Sequence, residues 1–280
     1  MLMVALLIII YLIISTFILL ISNSPKKKLR YVYISINSLI IFWESIPFFK
    51  PIDSNILKIL YDWSPLLLLP IFHRETEILT FAFNQIPYDV KLIDLEKKYF
   101  PWIINFHQNN RANSLFLSEF LHLCYLSFYL IIYGVPLFFY LRQEFVSFYE
   151  CQFVLLLLLF LCFLTHSIIP AYGPRTIYER IQDNRSRGFF FRLTHKVLHN
   201  GSTPGTAFPS GHTGVSSAIL LTTWQLNASL FYFILPFGVG LIISTIYGRF
   251  HYIIDMIFGF LYAVIVFFIA ISLVSYYPLI

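Results

Sequence analysis

Residues 2–21 carry hardly any polar side chain; only Tyr11, Ser15 and Thr16 interrupt a run of Leu, Ile, Val, Phe, Met and Ala. About 20 such residues suffice for a helix to cross the hydrocarbon of a bilayer. Comparable runs recur at 31–49, 114–141, 145–169, 209–226, 229–247 and 252–276, seven crossings in all. Backbone N–H and C=O groups in hydrocarbon must pair within their own segment, so each run is expected to be a helix. Composition agrees: 12% of residues are charged and 58% hydrophobic, against about a quarter charged in a soluble domain. The 31 Phe and 19 Tyr supply anchors at the membrane interfaces. Short connections such as 225–228 make consecutive helices antiparallel neighbours. The expected fold is an all-α polytopic membrane bundle of six to seven transmembrane helices with a short interfacial helix.

Charge sets the expected topology. Lys26, Lys27, Lys28 and Arg30 form the strongest basic cluster beside a short loop, which the positive-inside tendency makes cytoplasmic. The first run has no basic start or small-residue cleavage site and is read as a retained helix rather than a signal peptide. A pI near 9.0 raises nucleic acid as a partner. The basic residues, however, lie beside membrane segments, where lipid head groups are the expected partners. The loop 170–206 holds Arg175, Arg180, Arg185, Arg187, Arg192 and Lys196 against Glu179 and Asp183. On this topology it is extracytoplasmic, and its basic excess there calls for a cause such as an anionic substrate. The chain divides into two N-terminal transmembrane helices (1–50), an interfacial or re-entrant extracytoplasmic segment (51–113) and a helical core carrying the chemistry (114–280). Within 51–113 the apolar run 66–72 is too short to span by itself. Tyr88, Leu92, Leu95 and Tyr99 share one helical face opposite Asp89, Lys91, Glu96 and Lys97. That pattern suits a helix on the membrane surface, or equally a solvated helix packed on the protein. Glu119 and His122 are read as structural hydrogen-bonding or snorkelling groups, and Cys124, Cys151 and Cys162 as small buried hydrophobes.

Two constellations carry chemistry. In Ala207-Phe208-Pro209-Ser210-Gly211-His212-Thr213-Gly214 a polar loop turns into an apolar helix. The unpaired N–H groups and dipole of a helix start favour an anion. Gly211 permits close approach, Ser210 can donate a hydrogen bond, and His212 can donate a proton. A plain N-cap serine with an incidental histidine is the competing reading. The second constellation, Arg249-Phe250-His251-Tyr252-Ile253-Ile254-Asp255, opens the last helix. His251 and Asp255, four apart, share a helical face, so a carboxylate can fix the imidazole tautomer and leave the other nitrogen free to attack. Arg249 adds a cation suited to phosphate oxygens. The same pair could bind metal, although no further ligand cluster follows, or could be structural.

Pro209-Ser210-Gly211-His212 together with Arg249-x-His251-x-x-x-Asp255 resembles the second and third motifs of the type-2 phosphatidic acid phosphatase superfamily. A looser likeness to its inositol phosphorylceramide synthase branch covers Asp62 to Tyr140, through Tyr88-Asp89, Glu96, Phe100, Ser118-Glu119 and His122-x-x-Tyr125. The resemblance implies that His251 is a nucleophile forming a phosphohistidine, that Asp255 orients it and that His212 is the acid. It also implies that Arg249, Ser210 and the Gly211 N–H hold phosphate oxygens, with no metal or other cofactor. The superfamily's first motif, a lysine followed by an Arg-Pro pair, is missing. Tyr172-Gly173-Pro174-Arg175 resembles the synthase branch's shorter form, with Arg175 as phosphate clamp and Arg180 behind it.

The leading expectation is a membrane lipid phosphatase, hydrolysing a phosphate ester or diphosphate, with its site on the extracytoplasmic face. A phosphotransferase passing a phospho-head group to an alcohol acceptor is the alternative. A non-catalytic carrier would have little reason to keep His212, His251 and Asp255 together, and a transporter's matched broken helices are missing from the sequence.

Overall fold

The computed structural model describes residues 1–22, 26–52, 54–108 and 114–276. The apolar runs form helices, as backbone pairing in hydrocarbon requires. In chain order these are α1 (Leu2–Ile21), α2 (Lys27–Phe49), α3 (Asn55–Leu67), α4 (Leu69–Leu79), α5 (Asp89–Tyr99), α6 (Pro101–Gln108), α7 (Leu115–Leu141), α8 (Phe145–Ile168), α9 (Pro174–Ile177), α10 (Phe189–Gly201), α11 (Gly211–Leu226), α12 (Ala228–Tyr247) and α13 (Ile253–Tyr276). A 3₁₀ turn covers Asn184–Arg187. Among the described residues no strand forms, and a single parallel bridge joins Ala171 to Thr206.

α8 is the hub. Of its most apolar 18 residues 72% are buried, and α1, α4, α7, α11 and α13 all pack on it. An apolar surface all round suits a helix enclosed by others. α11 crosses α13 so closely that a Cβ on Gly259 would collide with the Ser210 carbonyl. That approach sets the first turns of the two helices side by side.

The segment 51–113 departs from expectation. Asn55–Leu79, bent at Leu68, is long and apolar enough to cross the membrane. Its two ends sit at opposite ends of the bundle. At the start of α3, Lys58 lies over the Phe145 ring at the α7–α8 turn. At the end of α4, Thr80 abuts Gly205, and Glu77 pairs with Lys26. The polar residues that break the run in sequence are paired inside the bundle. Asp62 accepts from Tyr149 Oη at 2.5 Å, and Glu75 from Asn37 Nδ2 at 2.6 Å and Tyr11 Oη at 3.3 Å. With this extra crossing the α1–α2 loop and the loop 170–206 lie at the same end of the bundle, not on opposite faces as the expected order of crossings placed them. The expected segment boundary at residue 113 lies outside the described residues.

α5 also differs from its expected orientation. Asp89 and Glu96 are buried together with Leu92, while Leu95, Tyr99, Lys91 and Lys97 are exposed, so the two carboxylates of the polar stripe face the protein and its lysines do not. Glu119 is structural, accepting from the Phe190 and Phe191 N–H groups that open α10. All three cysteines are buried and free.

Candidate active site

The chain after α8 is held by α5. Asp89 accepts from the Tyr172 and Gly173 N–H groups at 2.9 and 2.8 Å and from Tyr252 Oη at 2.9 Å. Glu96 accepts from the N–H of Ile253, the first residue of α13, at 2.5 Å. α5 therefore clips residues 172–173 to the start of α13. Gly173 has φ 91°, and a Cβ there would lie 2.9 Å from the Phe250 carbonyl, a position only glycine fills without strain. Next to it, Ala171 N donates to Gly205 O and Ala207 N to Ala171 O, which fixes the strand-like stretch entering α11. Burial pushes the Glu96 carboxyl up from 4.5 to about 7, with the Ile253 N–H opposing the rise and Asp255 adding to it.

These constraints bring two imidazoles together. His251 Nε2 lies 3.5 Å from His212 Nδ1. His251 Nδ1 is 2.9 Å from the Ala207 carbonyl and 3.5 Å from Asp255 Oδ2. A carbonyl can only accept, so the proton sits on Nδ1 and Nε2 presents its lone pair. The Ala207 carbonyl is thus the nearer orienting group, and no residue type in the sequence announces it. Asp255 Oδ2 accepts from Tyr252 N at 2.8 Å, tying the helix start to the same carboxylate. The Tyr125 and Phe128 rings flank His212, at centroid distances of 4.6 and 4.3 Å.

Both histidines line a cavity of about 380 Å³ between α4, α7, α8 and α11. Of the expected phosphate-binding residues, Arg175 and Gly211 line it too, and Arg175 Nη2 donates to Ser202 Oγ at 3.1 Å. The other three stand elsewhere. Ser210 is fully buried as the N-cap of α11, its Oγ accepting from Thr213 N at 3.2 Å. Arg249 Nη1 donates to the Glu179 carbonyl at 2.6 Å, and its side chain is outside the cavity wall. Arg180 is exposed and also outside it. Two further histidines that no motif in the sequence marks line the cavity, His73 on α4 and His166 at the end of α8. Their only signal was an ionisable residue within an apolar run.

The family model for the PAP2 superfamily matches residues 90–269, from α5 into α13. The chain belongs to the PAP2 superfamily. Comparison with curated proteins and with solved structures gives no match. Membership in the PAP2 superfamily supports an integral membrane enzyme of the phosphatase or phosphotransferase type in general. The matched stretch contains His212, His251, Asp255 and Arg175, whereas α1 to α4 precede it.

Proposed function

We propose that this PAP2 protein hydrolyses a phosphate ester or diphosphate of a membrane lipid through a phosphohistidine on His251. The observation that carries the reading is the orientation of His251: Nδ1–H is spent on the Ala207 carbonyl, and Nε2 faces His212 in the cavity. His251 Nε2 attacks phosphorus, and the leaving oxygen takes its proton from His212. Water then attacks the phosphohistidine and gives a proton to His212, releasing phosphate and restoring Nε2. Arg175 and the first turn of α11 at Gly211 offset the charge on the equatorial oxygens, the electrostatic positioning on which phosphoryl transfer mostly relies. The apolar wall at Phe128, Ile132, Leu159 and Phe163 suits a lipid chain. The test is product analysis with purified protein and a lipid phosphate, with and without added alcohols. Hydrolysis predicts free phosphate in both cases. A new phospholipid formed only with the alcohol, and no free phosphate, would instead mark a phosphotransferase.

A further inference from the structure

α5 lies across the end of the bundle that carries the site. Leu92 packs with Ala171, Ala207, Phe208, Tyr252 and Ile254, and Ile169 lies against them. Those residues follow α8, precede α11 and open α13, where the spans 145–168 and 253–273 end and begin. α5 therefore sits at the level where hydrocarbon gives way to head groups. Its inner face is taken up by Asp89, Leu92 and Glu96. Along one flank Tyr88, Leu95 and Tyr99 follow each other at helical spacing, and Leu95 and Tyr99 are exposed. Ile86 just before α5 and Trp102 at the start of α6 extend this exposed apolar surface.

Lysines border the stripe. Lys91 Nζ lies 4.5 Å from the Tyr88 ring centroid, and Lys98 Nζ 5.0 Å from that of Tyr99. Lys97 pairs with Asp94, whereas Lys91 and Lys98 pair with no carboxylate among the described residues. Aromatic and aliphatic side chains reaching into acyl chains, with ammonium groups beside them at head-group height, are the mark of a helix lying on a membrane. Two unpaired ammonium groups there attract anionic head groups. We infer that this flank of α5 is a binding surface for anionic lipid head groups, and that its occupancy steadies the site. The second part follows from the opposite side of the helix, where Asp89 and Glu96 hold the N–H groups of Tyr172, Gly173 and Ile253. A helix seated on anionic lipid keeps the chain after α8 and the start of α13 in register. The surface stands whether or not the protein is a phosphatase.

The experiment places the full-length protein in phosphatidylcholine nanodiscs, with a fluorophore on Leu95→Cys or Asp94→Cys; the native cysteines are buried. A trace of lipid spin-labelled high on its acyl chain is added, with either a phosphatidylglycerol or a phosphatidylcholine head group. The fluorophore at 95 should be quenched and that at 94 much less. Phosphatidylglycerol should quench at least about threefold better than phosphatidylcholine, since each lysine beside an anionic head group is worth about fivefold in local enrichment. The double variant Lys91→Gln/Lys98→Gln should keep the quenching by phosphatidylcholine and lose the preference. No quenching at 95, as water or a protein partner over the flank would give, or equal quenching at 94 and 95, overturns the docking. Equal quenching by the two lipids in the wild-type protein, or a preference that survives in the double variant, overturns the selection of anionic head groups. Hydrogen exchange at the Tyr172, Gly173 and Ile253 amides should slow when phosphatidylglycerol is present, in the wild-type protein and not in the double variant. Exchange that phosphatidylglycerol leaves unchanged overturns the coupling to the site.

Discussion

His251 donates its Nδ1 proton to a main-chain carbonyl at 2.9 Å, while the Asp255 carboxylate stands off at 3.5 Å. Where a carboxylate alone sets the tautomer, its amide replacement costs about 10⁴ in rate. Here the Ala207 carbonyl keeps the tautomer without it. Asp255→Asn should therefore slow phosphate release only about 10- to 100-fold, whereas His251→Ala should lose at least about a thousandfold. Steady-state kinetics on both variants decides this, and equal losses would return the orienting role to Asp255. At this scale the sequence was informative about side chains and silent about the backbone. His212, His251 and Asp255 were legible because ionisable groups at the start of apolar helices are costly without a purpose. Ala207 was illegible because every residue has a carbonyl. Ser210 and Arg249 were legible as residues but not as to their partners, which turn out to be Thr213 and the Glu179 carbonyl.

At the scale of elements, α5 shows how a periodic pattern misleads. Its apolar residues Leu95 and Tyr99 face outward, and Asp89 and Glu96 face inward because each meets backbone N–H groups of the site. Hydropathy cannot distinguish a carboxylate that faces water from one that caps a neighbouring helix. Glu96 also gives α5 a pH signature. Its carboxyl sits at about 7 in the fold against 4.5 ordinarily. Between those values the folded protein holds a proton that the unfolded chain has released. Its contribution is full below about 4.5 and is lost as pH rises through about 7, up to about 3 kcal/mol in all. Glu96→Gln keeps an acceptor for Ile253 N–H and removes the titration. Thermal midpoints in detergent from pH 5 to pH 8 should fall more steeply for the wild-type protein than for this variant, and parallel slopes would contradict the account. The crossing of α3 and α4 was hidden for a related reason. Asp62 and Glu75 look like interruptions in a run, but in the bundle each is paired with hydroxyl or amide donors from other helices.

For the whole molecule, the extra crossing decides which loops share a face. α11, with 16 residues, is about 24 Å long, shorter than the roughly 30 Å hydrocarbon core. The all-α bundle and its seven membrane-long helices were legible from run length alone, but not which segments they are: Asn55–Leu79 is one of them and α11 is not, and a crossing gained in mid-chain inverts every later face. Lys28→Cys and Arg187→Cys should thus be labelled from the same side by a membrane-impermeant maleimide, and Gln143→Cys from the other. The three native cysteines are buried and should contribute little background. Labelling of positions 28 and 187 from opposite sides would restore the seven-crossing topology. The account as a whole depends on the covalent step. Rapid acid-free quenching of the protein with a ³²P-labelled lipid phosphate, followed by peptide mapping, reads that step directly. The account predicts an acid-labile, base-stable label on His251 that decays with phosphate release and is missing from His251→Ala; turnover without any label, or a label on His212, would contradict it.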